Sequence, residues 1–258
     1  MRAAWLTAGT VVTVFALLLS SVLIWRGVAR ARTPEETTAR SIPFGERQLR
    51  IKAGQGDVNV IILPGQAGKL VIQRSLRWSS DRPTVTEDWD DKTRTLRLEA
   101  VCNHSDQPDG PICQADYLLL VPPETDIEAG MNDGDLTLNS IFGDARIDSV
   151  AGDVYVNDLT GRLWARIGTG NVDATELDTK EADVEVGGGD LDLSFTNAPT
   201  TVKAVVRTMG DVRVHVPGGF YDVTVDALNS TVDLGRRAGA ERRITARAPS
   251  GVVFLCCR

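Results

Sequence analysis

The chain has 258 residues, enough for one large or two small domains, and 42% of them are hydrophobic, enough for a sizeable core. Aromatics make up only 5%, so aliphatic side chains must fill that core. A formal net charge of −7 excludes a fold-wide basic surface of the kind nucleic acid requires, and the 24 glycines follow no collagen-like triplet.

Residues 3–25 carry no charged side chain. As a helix they would span roughly 35 Å, sufficient for a hydrocarbon layer of about 30 Å. Trp5 and Trp25 stand at the two ends, where indole rings favour the membrane interface. The segment is longer than the apolar region of a secretory signal, so a retained single-pass anchor is the favoured reading. Ala29-Arg30-Ala31 keeps cleavage open as the alternative. Arg26, Arg30 and Arg32 follow the segment and Arg2 precedes it, a count that by itself places the C-terminal part in the cytoplasm. Two observations point the other way. Cys102 and Cys113 flank a polar loop between strand-like runs, as a disulfide does, and disulfides persist outside the reducing cytosol. One short helix ahead of one large domain is also the simplest plan for export. The expected location is therefore the cell membrane, with the C-terminal domain extracytoplasmic. Residues 1–32 are read as the anchor with its basic flank and residues 33–43 as a polar linker.

Residues 44–258 read as one all-β domain. Strand-like runs occupy 48–53, 57–63, 69–76, 95–100 and 117–121, and Gly56-Asp57-Val58-Asn59-Val60 introduces a motif that later dominates. Residues 44–126 are expected to form an irregular β cap and the first coils, stapled by the Cys102–Cys113 loop. From 127 onward the motif recurs. Gly134-Asp135-Leu136-Thr137-Leu138, Gly143-Asp144-Ala145-Arg146-Ile147 and Gly152-Asp153-Val154-Tyr155-Val156 follow one another at nine-residue steps. Gly161 and Gly170 keep the step, and Gly189-Asp190 and Gly210-Asp211 continue it more loosely. Weaker copies begin at Ser230 and Gly251. Apolar residues two apart share one face of a strand, and no single unit can bury that face alone. Stacked coils of about 20 residues with short strands satisfy both facts, giving a β-solenoid of the parallel β-helix kind. No helical period survives among so many glycines and β-branched residues. An antiparallel β-sandwich also tolerates strands at this spacing and is the alternative.

The repeated Gly-Asp-apolar-x-apolar units resemble the bacterial putative-adhesin, head-GIN-like domain family, and the resemblance covers about residues 44–258. The N-terminal helix and the cysteine pair ahead of Tyr117-Leu118-Leu119-Leu120-Val121-Pro122 resemble its actinobacterial, surface-exposed members. The resemblance implies a β-solenoid at the cell envelope and supplies no catalytic residues; fold alone does not give function.

No residue set marks a reaction centre. His104 and His215 are the two histidines, and neither lies in a nucleophile motif. Cys102, His104 and Cys113 lack a fourth zinc ligand at a recognisable spacing. The aspartates at 135, 144, 153, 190 and 211 are expected to cap turns by bonding their own backbone. Gly187-Gly188-Gly189-Asp190 departs from the calcium nonapeptide, with Asp where the third Gly belongs. No metal, cofactor or catalytic residue is therefore expected. Tyr155, Trp164 and Phe254 occupy outward positions and form the candidate contact surface. Five arginines between 236 and 247 are expected to cover the last coil. The expected function is a non-catalytic binding, adhesin-like or scaffold module, touching membrane and either wall polymer or an envelope protein. An envelope-stress sensor or, less simply, a carbohydrate-active solenoid enzyme are the other readings.

Overall fold

The computed structural model describes Ser20, residues 34–102 and residues 112–257. Apart from Ser20, the expected anchor lies outside the described residues, as does the loop containing His104. Among those described, no helix is long and apolar enough to cross a membrane.

Twenty strands are present among the described residues. The N-terminal part holds β1 (Glu35–Phe44), β2 (Gln48–Ala53), β3 (Asp57–Pro64), β4 (Gly68–Trp78), β5 (Thr84–Asp90), β6 (Thr95–Val101) and β7 (Cys113–Val121). The repeats supply β8 (Asp126–Met131), β9 (Leu136–Ile141), β10 (Ala145–Ala151), β11 (Val154–Leu159), β12 (Leu163–Thr169) and β13 (Val172–Leu177). They continue as β14 (Glu181–Gly188), β15 (Leu191–Phe195), β16 (Thr201–Val206) and β17 (Val212–Val216). The chain closes with β18 (Phe220–Asp233), β19 (Gly235–Arg236) and β20 (Arg243–Cys257).

Alternation within each short strand explains the architecture. Val154 and Val156 are buried while Tyr155 between them faces out. Val154 pairs in parallel register with Leu136 on one side and Val172 on the other, so like stacks on like. Successive strands alternate between two such ladders. Wall one runs β6, β2, β8, β10, β12, β14, β16 and the first half of β20. Wall two runs β7, β3, β9, β11, β13, β15, β17 and the second half of β20. A single aliphatic core fills the space between them. On wall one that core alternates in size: Ile127, Ala145, Leu163, Ala182 and Val202 form one column, and Ala129, Ile147, Ala165, Val184 and Ala204 the next. Large sits beside small in both directions, which is how close packing is reached without aromatics.

Antiparallel pairing, the signature of the sandwich alternative, is confined to the N-terminal end, where β1 pairs with β4, β4 with β7 and β5 with β6. These strands close that end. Glu87 lies between Arg40 and Arg74, with the Arg74 contact at 3.3 Å. Burial, followed by the nearby Glu87 carboxylate, pushes the Tyr117 hydroxyl up to about 12. The disulfide joins Cys102 to Cys113 at the rim of the same cap.

Three expectations are corrected. Residues 35–43, read as linker, belong to β1, which pairs with β4 along its whole length. Both faces of β1 are largely exposed, so it shows no apolar alternation, and main-chain bonds rather than burial place it. The last two repeats do not stack in chain order: Leu255 of β20 pairs with Val214 of β17 and with Val232 of β18. The chain therefore runs out to the terminal coil in β18 and returns to fill the gap with β20. Periodicity fixes which residues point inward but not the order of stacking. The third correction concerns the aspartates. Each bonds the backbone of the next coil rather than its own: Asp135 Oδ1 accepts from Asp153 N–H, Asp153 Oδ1 from Asn171 N–H, and Asp190 Oδ1 from Asp211 N–H, at 2.7–2.9 Å. Asn171 occupies the same place and accepts from Asp190 N–H at 2.9 Å. The column works as a set of inter-coil staples, with an amide serving as well as a carboxylate. Asp153→Ala is accordingly expected to lose about 1 kcal/mol in a urea titration, and Asp153→Asn much less.

Candidate functional site

The outward residues of wall one make columns that cross the coils. Arg50, Glu128, Arg146, Trp164, Asp183 and Lys203 stand in register in one of them. Lys52, Gly130, Asp148, Arg166 and Glu185 stand in the next. Two hollows of 680 and 850 Å³ lie along these columns. The first is lined by Glu128, Asp144, Arg146, Arg162, Trp164, Asp183 and Lys203, among others. The second has a floor of small residues, Gly54, Gly130, Gly168 and Gly187, with Asp148, Arg166, Glu185 and Arg207 around them.

The charges are distributed in opposed pairs. Arg50 Nε is 2.9 Å from Glu128 Oε2, Arg166 Nη2 is 2.9 Å from Asp183 Oδ2, and Lys203 Nζ is 3.3 Å from Asp183 Oδ1. Glu185, the least exposed acid of the group, meets Arg166 at 3.7 Å and pairs with Arg207. Burial alone would raise the Asp183 carboxyl, but the hydrogen bond and charge of Arg166, helped by Lys203, hold it below its ordinary value. At the edge of the first hollow, Arg162 donates to Asp144 at 2.6 Å and holds that carboxyl low as well. Trp164 lies among guanidinium groups, Arg146 at 3.5 Å from the ring centroid and Arg166 at 4.4 Å. The wall therefore presents fixed donors and acceptors in alternation. Such an arrangement offers hydrogen-bond donors and acceptors to polar groups, and among the described residues of this wall each named carboxylate faces a guanidinium or ammonium group.

The expected contact surface is divided by the fold. Trp164 is on wall one, whereas Tyr155 and Phe254 share a column on wall two, with Asp173, Asp192 and Arg213 between them. Four strand steps separate those two rings by about 19 Å. Neighbouring nine-residue units lie on opposite walls, so aromatics from units 152 and 161 cannot form one patch. Trp164 does belong to the candidate site, with guanidinium groups over its ring; Tyr155 and Phe254 do not. The charged columns were hidden because partners such as Arg146 and Trp164 are 18 residues apart; writing the sequence coil under coil would have aligned them.

Wall two brings together the residues closest to a catalytic set. His215 Nδ1 is 3.6 Å from Asp192 Oδ1, and His215 is the strand partner of Cys256. Desolvation, then Cys257 and Asp233, push the Cys256 thiol up, the opposite direction from an activated thiolate. At the start of β3, desolvation followed by Asp133, Asp116 and Asp135 raises the Asp57 carboxyl. A raised folded-state pKa means that ionisation costs stability, and that the cost is relieved as pH falls through that value. Asp57→Asn should therefore melt above the wild type at pH 7, and the gap should close as the solution is acidified through the carboxylate range.

An all-β, solenoid-like domain with one wall lined by paired charges is the class these features define. The chain belongs to the Toastrack DUF4097 family, matched over residues 41–253. No curated protein matches it. Similar solved structures include a putative adhesin from Bacteroides fragilis NCTC 9343, 15% identical over 86% of this chain and 97% of its own, with a TM-score of 0.46. A putative cell adhesion protein from Clostridium sporogenes ATCC 15579 is 15% identical over 88% and 100%, with a TM-score of 0.32. A putative adhesin from Parabacteroides distasonis ATCC 8503 is 15% identical over 85% and 97%, with a TM-score of 0.35.

Proposed function

We propose that the chain is a membrane-anchored, extracytoplasmic binding module of the bacterial cell envelope, non-catalytic, with wall one as its contact surface. The carrying observation is the pair of hollows on a multi-coil sheet, lined by guanidinium and carboxylate groups around Trp164. Their spacing repeats with the coils, at about 4.8 Å, which suits a polar polymer with many equivalent groups better than a single small molecule. The apolar segment at residues 3–25 supplies the anchor, and the Cys102–Cys113 disulfide favours an oxidising compartment.

Two measurements test this reading. A membrane-impermeant maleimide should label Val150→Cys, an exposed position, in intact cells; labelling only after lysis would contradict the location. Full-length protein in detergent should sediment with purified cell-wall sacculi. Combining Arg146→Ala with Trp164→Ala should weaken that binding about tenfold or more, the cost of a lost cation–π and hydrogen-bonding anchor. Tyr155→Ala on wall two should leave it unchanged. Equal binding by the wall-one variant, or none by the wild type, would overturn the assignment.

A further inference from the structure

The two ends of the solenoid are finished differently. Antiparallel strands and the Glu87 ion cluster close the N-terminal end. At the C-terminal end β18 is hydrogen-bonded to β20 on one side. On its other side β19 covers only Phe220 and Tyr221, leaving residues 222–233 without a strand partner among the described residues. Val223, Val225, Ala227, Val232 and Leu234 point toward the core from this last coil and are only partly buried. Leu228, at the corner where β18 passes from wall one to wall two, is 70% exposed. Arg247 is tied to Asp226 at 3.1 Å and Arg237 lies over Phe220, so these two of the five arginines dress the sides of the coil.

A row of free main-chain donors and acceptors with a half-covered apolar side is satisfied by another strand. The sequence of β18 says which strand. A two-fold axis through the corner, between Leu228 and Asn229, sets each residue before it opposite its mirror position in a second copy. Val223 then meets Leu234, Val225 meets Val232 and Ala227 meets Ser230, all inward residues. The register shift between Ala227 and Asn229 keeps inward opposite inward on both walls. Among outward residues Asp226 meets Thr231 and Thr224 meets Asp233, while Asp222 meets Gly235. No acid faces an acid anywhere along the pairing. A copy joined head to tail would instead have to dock on the closed cap.

We propose that the open coil is a tail-to-tail interface, in which β18 pairs antiparallel with β18 of a second copy across a two-fold axis, making one continuous solenoid from two chains. This assembly is independent of which ligand wall one takes. Sedimentation of the full-length protein in detergent tests it. The wild type should be a dimer that dissociates on dilution. Thr224→Asp, an exposed outward substitution, sets an acid opposite Asp233 twice per dimer and should weaken association about tenfold. Adding Asp233→Thr restores an acid-threonine pair and should restore the dimer, while all three proteins melt as folded chains. A wild type that is monomeric at every concentration up to its solubility limit would overturn the proposal. So would a dimer that Thr224→Asp leaves intact, or one that the second substitution fails to rescue.

Discussion

Gly170→Ala is expected to cost more than about 3 kcal/mol, enough to prevent accumulation of folded protein in a marginal chain. Two independent effects act at this residue. Its φ is +135°, a conformation that side-chain-bearing residues rarely adopt. A Cβ there would stand 2.1 Å from the carbonyl oxygen of Gly152, the equivalent residue one coil below. That oxygen belongs to backbone held by its own ladder, so it cannot retreat without breaking the stack. Gly152 stands in the same relation to Gly134, and Gly189 to Gly170, so the strain would pass along the column. Gly45→Ala is the control: nothing lies within 4 Å of its Cβ position, and the substitution should leave the melting temperature nearly unchanged. Soluble yield and circular dichroism of the full-length variants decide the matter.

Leu163→Ala is expected to destabilise by about 4–5 kcal/mol, the upper part of the range for buried leucines. Leu163 is 2% exposed, and its partners in the stack are Ala145 below and Ala182 above. The cost of such a truncation depends on how far neighbours can move into the cavity, and two alanines have nothing to send. Leu191 on wall two is equally buried but lies between Val172 and Val212, which can lean inward. Leu191→Ala should therefore cost about 3 kcal/mol. Urea titration of both variants gives the comparison. A larger loss at Leu191 would mean that the alternation of large and small on wall one is not what sets the packing.

The repeat was legible because glycine, an acid and two inward aliphatics recur at fixed steps, whereas the reach of each acid to the next coil was not. Strands β2, β3, β4, β6 and β7 were visible for the same reason, as alternating or continuous apolar runs. β1 and β5 were not. β1 has little to bury, and β5 turns Glu87 toward Arg40 and Arg74, so an inward residue of the cap is charged. Val150 shows the converse: it stands two residues before a glycine, as the buried Ile141 and Leu159 do, yet is 62% exposed. The swap of β18 and β20 leaves no trace in periodicity, since either order points the same residues inward. The candidate site was hidden by distance in the chain: the ion pair of Arg166 with Asp183 and the contact of Arg146 with Trp164 join different coils. Reading Tyr155 and Trp164 as one surface overlooked that successive units alternate between walls.

Coils stacked in register define this fold, and a ruler along one column tests that stacking. Thr137, Tyr155, Asp173, Asp192, Arg213 and Phe254 are successive partners on wall two. Nitroxide labels at Thr137 and, in turn, Asp192, Arg213 and Phe254, with Cys256 and Cys257 replaced by serine, give three distances by pulsed electron paramagnetic resonance. Backbone separations of about 14, 19 and 24 Å are expected, one strand spacing added at each step regardless of the number of residues between them. Distances that fail to rise in order, or that place Phe254 nearer to Thr137 than Asp192 is, would contradict both the stack and the exchange of the last two coils.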